Sequence, residues 1–448
     1  MPTPRSEGVN ETGLFDPVTA NVTGVDDHTL LACLVTTEVA LTRAWVDLGL
    51  APSTVGEACG EVFGWQGPGQ LCARTLDAGG FDVVTGGNPV IPLIPKMREK
   101  VPSQARAWVH KGATSQDIMD SALMLLSRIT GTRILEIVDA LLDVLNTLGR
   151  RHRNTVTVAR TLTQHGVPTT WGARIAGWGH GLRRARQRLH QVVDELPAQL
   201  AGAGGTSASF VEIAGAKRAV RLPHLFATQL DLQPPLHPWH TVRWPVTELG
   251  DALAQVVGAL GTFASDVTTL ARTEIQEVTD AGGGGSSAMP QKNNPTRAVL
   301  IKSAAIRTPL LSASLHTSAA LAVDERPDGA WHAEWPALRD LLKITLGAAT
   351  LARDLAGDLR INEEAVGRNV GLSAGLILAE RVSLVLGPLI GSQKVNELLG
   401  RAGEQGLAQV LMNDPHVQRT GIDVASLLDP HNYVGLAPGF DSDEESHG

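Results

Sequence analysis

The segment from Ala281 to Pro295, AGGGGSSAMPQKNNP, holds the residue types in this sequence best suited to chemistry. Four consecutive glycines, Gly282 to Gly285, cannot stabilise a helix or strand, because ordering each costs much backbone entropy. They lead into a polar tip containing Ser286 and Lys292, and then into an apolar helical stretch. A flexible linker would explain the glycines but not the tip. A lid that closes on a ligand explains both. Backbone N–H groups freed by the glycines, with the Lys292 ammonium beside them, would hold an oxyanion. Ser286 is the reactive hydroxyl of this tip. A hydroxyl is a poor base at neutral pH, so it needs a desolvated lid and nearby donors to favour its alkoxide. The competing reading is that Ser286 merely caps the helix that follows.

The elements that must position this loop are helical. Leu249, Leu253, Val256, Leu260, Phe263, Val267 and Leu270 recur at spacings of four and three, a heptad seam on one helix. With Pro245 in its first turn, a helix from Pro245 to Val278 would be roughly 50 Å long. Ile134, Ile137, Leu141, Val144 and Leu148 give a second seam. Residues 298–321 predict a third helix, apolar all round as in a buried bundle member. Strand signals are weak, since no alternating β-branched run closes on Asn-Gly or Asp-Gly. The expected fold is all-α, with a long central helix bundle over residues 112–351, a helical region before it (1–111) and another after it (352–448). The first dozen residues and the acidic tail after Pro438 are expected to fray.

Composition narrows the function. An apolar share of 43% supports a large interior and excludes a wholly disordered chain. The net charge of −8, with cations scattered, supplies no basic face for nucleic acid. Cys33, Cys59 and Cys72 are too few and irregular for a disulfide framework or a metal cage, and no HExxH-like spacing occurs, so no metal is expected. No signal peptide and no uncharged apolar run of about 18 residues is apparent; the best candidate, residues 371–391, is broken by Glu380 and Arg381. The expectation is a cytoplasmic protein with no membrane association.

Residues 285–295, GSSAMPQKNNP, match the GSSxMPxKxNP signature of the fumarase/aspartase superfamily at every fixed position, and the chain resembles that superfamily. The resemblance implies a mostly helical three-region subunit, a homotetramer with active sites shared between subunits, and no cofactor. It implies formation or cleavage of a C–N or C–O bond beside a carboxylate, through a carboxylate-stabilised carbanion. Ser286 then corresponds to the general base, with Lys292 and Asn294 supporting the loop and the enediolate. Ser287 and Met289 join the substrate-binding set.

Other polar loops fit the same family. Thr114 and Ser115 in HKGATSQD match its Thr-Ser pair, which hydrogen-bonds a substrate carboxylate; a plain helix N-cap is the alternative, and the two are compatible. Thr206 in AGAGGTSAS matches a Gly-rich turn that contacts substrate. Asn88 in GNPVIP occupies the loop where relatives carry an early histidine. His240 and Arg243 in PWHTVRW match a substrate-binding stretch, although Trp244 stands where an acidic residue is common. Arg326 in ERPDGAWHAEW is a candidate carboxylate clamp, against a surface ion pair with Asp324 or Glu325. In RTLTQH, Leu162 replaces the histidine acid of amine-releasing members, and leucine transfers no proton. His165, three residues on, is carried as a catalytic candidate, to orient a carboxylate or assist proton transfer, against a packed histidine.

These segments, with GNPVIPL, RTLTQHGVPTTWG and DPHNYVG, are similar to the muconate-type cycloisomerases of the superfamily, from about Leu14 to Gly435. Those enzymes close a carboxymuconate to a lactone in aromatic catabolism. A substrate carboxylate is their nucleophile, so no leaving amine needs an acid. The resemblance thus implies a small polycarboxylate substrate. The alternative within the superfamily is a lyase that eliminates a nitrogen-containing group from a substituted succinate to give fumarate.

Overall fold

The computed structural model describes residues 13–440 apart from 78, 286–288, 290 and 291. Helix covers 65% and strand 6%, so the all-α expectation is met. Contacts divide the chain into two compact units, each discontinuous in sequence. The first comprises residues up to Ile137, Ala185–Gly258 and Ser303–Thr350. The second comprises Val138–Arg184, Ala259–Lys302 and the chain from Leu351 onward.

Among the described residues, the five longest helices are Ser115–Arg151, Trp171–Asp194, Trp244–Leu270, Thr296–Ala320 and Gly329–Asp358. All seven seam residues from Leu249 to Leu270 are at most 4% exposed. That helix stops at Leu270, however, eight residues before the expected Val278. Glu277 N–H folds back onto Leu270 O at 2.9 Å, and Val278–Asp280 pairs antiparallel with Leu359–Ile361. The Glu277 carboxylate is fully buried against Arg160 and Arg174, which a continued helix would not allow.

The second seam is also shifted. Ile134, Val138, Leu141 and Leu145 are buried, whereas Ile137, Val144 and Leu148 are half-buried. A helix apolar on more than one side admits two stripes one residue apart, and spacing alone does not choose between them.

The third helix, Thr296–Ala320, has the expected bounds but not the expected burial. Val299, Ile306 and Leu310 are more than half exposed. It and Asp27–Asp47 are long and apolar enough, by length and composition, to cross a membrane, where the sequence reading expected no such helix. That reading required an uncharged run, and both helices carry a few charges. In Asp27–Asp47 the apolar window is 78% buried, which makes it a core helix of the first unit. Asp26 caps it, accepting from Thr29 N–H at 2.8 Å.

One hairpin in the second unit was not foreseen. Val156–Thr161 pairs with Gln164–Thr170 around a two-residue turn, Leu162 and Thr163. Both turn residues have positive φ, 48° and 74°, which such turns require. Asn-Gly normally supplies it, so Leu-Thr gave no turn signal.

Candidate active site

In the first unit, a buried polar constellation gathers at the start of the helix Ser115–Arg151. Thr114 precedes that helix, and its N–H donates to Asp117 Oδ2 at 3.0 Å. Asp117 sits three residues on, the capping-box position, so the carboxylate satisfies the backbone and the Thr114 hydroxyl is not needed for that task. Arg326 donates instead to Thr114 Oγ1 (3.1 Å) and Ser115 Oγ (2.6 Å). Asn88 Nδ2 approaches Ser115 Oγ at 3.5 Å, while its own Oδ1 accepts from Val90 N–H.

Asn88, Thr114 and Ser115 are buried, and Arg326 is exposed. A hydroxyl has two acceptor sites and one proton. With Arg326 and Asn88 occupying the oxygen of Ser115, its proton is left to donate elsewhere. Two hydroxyl protons beside an exposed guanidinium make a donor set suited to a carboxylate. Arg326 is thus engaged with these hydroxyls, and its guanidinium carbon lies 5.1 Å from the centroid of the Trp331 ring.

Behind this surface lies a network that sequence reasoning did not find. Trp331 Nε1–H donates to Asp120 Oδ1 at 2.9 Å. Asp120 and Glu334 clamp Arg243, whose Nε, Nη1 and Nη2 all donate to carboxylates at 2.7–3.1 Å, with Nη1 also reaching the Trp239 and His240 carbonyls. Its side chain is fully buried and all its donors are engaged. The expected contact of Arg243 with substrate is therefore replaced by a supporting role, and Asp120 with Glu334 supplies the acidic partner that Trp244 does not. Burial alone would lower the Arg243 pKa, but the two carboxylates outweigh it and hold the guanidinium above its ordinary range. Burial pushes Glu334 up, with Arg243 opposing and Asp120 adding to the rise.

His240 is buried, with Nε2 at 2.8 Å from Asp117 Oδ1. Asp117 also accepts from Ala201 N–H (3.0 Å) and Gly202 N–H (2.9 Å), which draws the AGAGGTS turn to the same carboxylate. Thr206 lies exposed in that turn. Gly202 and Gly205 both have positive φ there, and a side chain at Gly205 would lie 3.6 Å from His240 Nδ1. The signals that could have revealed Asp117 and Asp120 were present: Asp117 stands at capping-box spacing from Thr114, and Asp120 three residues further on the same helix.

His165, Met289, Lys292 and Asn294 belong to the second unit. His165 pairs across the hairpin with Arg160 and is half-buried. Burial, then the Arg160 charge, lowers its pKa, with Glu277 opposing. It lines a cleft of about 740 Å³ together with Arg160, Arg174 and Arg272. Leu162, at the hairpin tip, is 96% exposed.

The expected lid has an ordered base. Gly284 and Gly285 pair antiparallel with Asn294 and Asn293, so two of the four glycines do join a short ladder, against expectation. Asn293 Nδ2 donates to Asp280 O at 3.2 Å, and Arg297 pairs with Asp280 and, at 2.9 Å, with Asp358. A paired partner strand offsets the entropic cost of ordering glycine. Met289 and Lys292 are exposed and Asn294 half-buried. Ser286 and Ser287 lie outside the described residues. Among the described residues, no group of three or more His, Cys, Asp or Glu side chains is arranged to hold a metal ion.

A mostly helical chain thus presents a carboxylate-ready donor set and, in its second unit, a glycine-based polar loop. A family model described as a lyase matches residues 24–310. The chain is 40% identical to a nitrosuccinate lyase of Streptomyces davaonensis, over 98% of this chain and 95% of that protein. It is 36% identical to a 3-carboxy-cis,cis-muconate cycloisomerase of Pseudomonas aeruginosa, over 89% of this chain and 88% of that protein. The crystal structure of the 3-carboxy-cis,cis-muconate lactonizing enzyme from Pseudomonas putida superposes with a TM-score of 0.84 at 33% identity, covering 93% of this chain and 94% of that one. The chain belongs to the lyase family of the fumarase/aspartase superfamily.

Proposed function

We propose that this protein eliminates nitrite from nitrosuccinate to give fumarate. The observation that carries the reading is the polar cluster of Thr114, Ser115 and Arg326, a donor set for one substrate carboxylate. The 40% identity to a nitrosuccinate lyase, over nearly the whole of both chains, supplies the leaving group. Ser286 of a neighbouring copy of the chain, in the alkoxide form, removes a proton from the carbon next to the second carboxylate. The electron pair enters that carboxylate as an enediolate, held by Lys292 and Asn294. It then returns to form the double bond as the C–N bond breaks and nitrite leaves. Nitrous acid, though weak, is ionised at neutral pH, so nitrite departs without being protonated. A chain carrying Leu162 where amine-releasing relatives carry a histidine acid suits such a leaving group.

A second reading, closure of 3-carboxy-cis,cis-muconate to its lactone, is favoured by the TM-score of 0.84 and the long run of shared motifs. It also needs no acid for a leaving group. The two separate in one experiment. Purified protein is incubated with nitrosuccinate, with nitrite and fumarate measured, and separately with carboxymuconate, with loss of diene absorbance measured. Nitrite and fumarate in equal amounts support the first reading. Diene loss without nitrite release overturns it in favour of the second. Ser286→Ala should lower either turnover by about 10²- to 10⁴-fold, the usual contribution of a positioned base. We further propose that the protein acts as a cytoplasmic homotetramer, which the exposed Val299, Ile306 and Leu310 on one long helix support.

A further inference from the structure

We propose that Asp117 is the positioning residue of this site, fixing His240 in the tautomer that carries its proton on Nε2 while pinning Thr114 and the Gly-rich turn to the same carboxylate. Resting on the proposed carboxylate-binding site, the inference adds to it a residue that touches no substrate.

The Asp117 side chain is fully buried and has four partners from three separate stretches of sequence. Oδ2 accepts from Thr114 N–H (3.0 Å) and Gly202 N–H (2.9 Å). Oδ1 accepts from Ala201 N–H (3.0 Å) and faces His240 Nε2 (2.8 Å). The three backbone groups are donors without choice, and three such donors favour the ionised carboxylate, which is an acceptor at every position. The fourth partner must then also donate, and the proton of His240 belongs on Nε2. Nδ1, on the other edge of the ring, faces Gly205 of the turn. There it offers a lone pair in the neutral ring, or a second donor if the ring is charged.

Gln116 Nε2 donates to the His240 carbonyl at 2.9 Å and Arg243 Nη1 reaches it at 3.5 Å, so the backbone of His240 is held as firmly as its ring. Gln116, Asp117 and Asp120 lie within two turns of one helix. That helix fixes, through a single side chain, the spacing between the hydroxyl pair and the imidazole.

The test is Asp117→Asn, an isosteric change that puts an NH₂ where a carboxylate oxygen stood. If the amide nitrogen takes the Oδ1 place, it donates to His240 Nε2 and drives the ring proton to Nδ1. If it takes the Oδ2 place, it confronts the N–H groups of Thr114 and Gly202. Either way the site is disturbed without a change of volume. Solid-state ¹⁵N spectra of histidine-labelled protein report the tautomer, with His240→Gln assigning the resonances by difference. The expected wild-type pattern has a protonated Nε2 for His240, and in Asp117→Asn the proton moves to Nδ1 where the amide nitrogen takes the Oδ1 place. The value of kcat/KM, on whichever proposed substrate the wild type converts, should fall about 10- to 100-fold, as for loss of hydrogen bonds to a charged group. In the His240→Gln background, Asp117→Asn should cost markedly less, since part of its effect acts through the ring.

A neutral His240 protonated on Nδ1 in the wild type overturns the inference. So does a full and additive loss in the double variant. Should the wild type convert neither substrate, the proposed reaction fails, and the spectra still decide the tautomer.

Discussion

Replacing Arg243 by methionine should destabilise the protein strongly, and more at alkaline than at acid pH. The substitution keeps much of the side-chain length and removes every N–H that Asp120 and Glu334 receive from it. Asp120 retains Gln116 Nε2 at 3.1 Å and Trp331 Nε1 at 2.9 Å. Among the described residues, Glu334 keeps no recorded hydrogen-bond donor. Stranding a buried charge in this way costs about 3–5 kcal/mol.

The pH dependence follows from Glu334, whose pKa burial already raises in the intact protein and which would rise further without Arg243. A carboxyl whose folded pKa exceeds its unfolded value binds more protons when folded, so stability falls with rising pH. The penalty should be least near pH 5, where Glu334 can take up a proton, and grow toward pH 8. Equilibrium urea denaturation of wild type and Arg243→Met at both pH values measures it. A loss below about 1 kcal/mol, or one equal at the two pH values, would refute the view that Arg243 is the counter-charge of Glu334 among the described residues.

Three further outcomes are expected. Arg326→Lys should lower kcat/KM about 10- to 100-fold with the melting temperature almost unmoved, because an exposed, two-pronged donor is lost and little packing changes; steady-state kinetics beside a thermal melt checks both halves. His110 lies 2.7 Å from the fully buried Glu38, and although burial lowers its pKa, Glu38 outweighs that and raises it overall. Its folded pKa thus lies above the unfolded value of about 6.5, so the stability it contributes is complete below that pH and lost as pH rises through the folded pKa. Wild type should lose more melting temperature between pH 6 and pH 9 than His110→Gln does. Finally, Ile306→Glu combined with Leu310→Glu should reduce the assembly to smaller species in light scattering, if the exposed face of that helix seats a second copy of the chain.

The elements legible in the sequence were those with a single dominant period. The Leu249–Leu270 stripe appears in one heptad pattern, and its residues are buried. The same method misplaced the stripe of the neighbouring helix by about one residue, because side chains on two faces are apolar and periodicity cannot rank them. The helix end at Leu270 was missed because what ends it is a charge, Glu277, drawn to arginines more than a hundred residues earlier in sequence. The hairpin at Leu162 was missed because its turn forgoes the residues that favour positive φ.

At the site, motif residues such as Thr114, Ser115 and Arg326 were visible from their types. Of their supports, Asp117 carries a capping-box spacing, but nothing in the spacing of Asp120 and Glu334 tells a buried hub from a solvated face. Arg243 shows the converse. Its neighbourhood points to a substrate contact, and only the count of its engaged donors reveals that it supports Asp120 and Glu334 instead.

The discontinuity of the two compact units bears on how the chain is made. The first unit needs residues as far as Thr350 before its last stretch can dock. At roughly 5–20 residues per second, a ribosome would hold the unfinished unit for about 20 to 70 seconds. During that interval the Leu249–Leu270 stripe has emerged, yet the segments that help to cover it are still unsynthesised. Newborn chains should therefore lean on chaperones that shield apolar helices. A gene cut between Ile137 and Ser303 should yield two fragments, each holding part of both units, that need each other to fold.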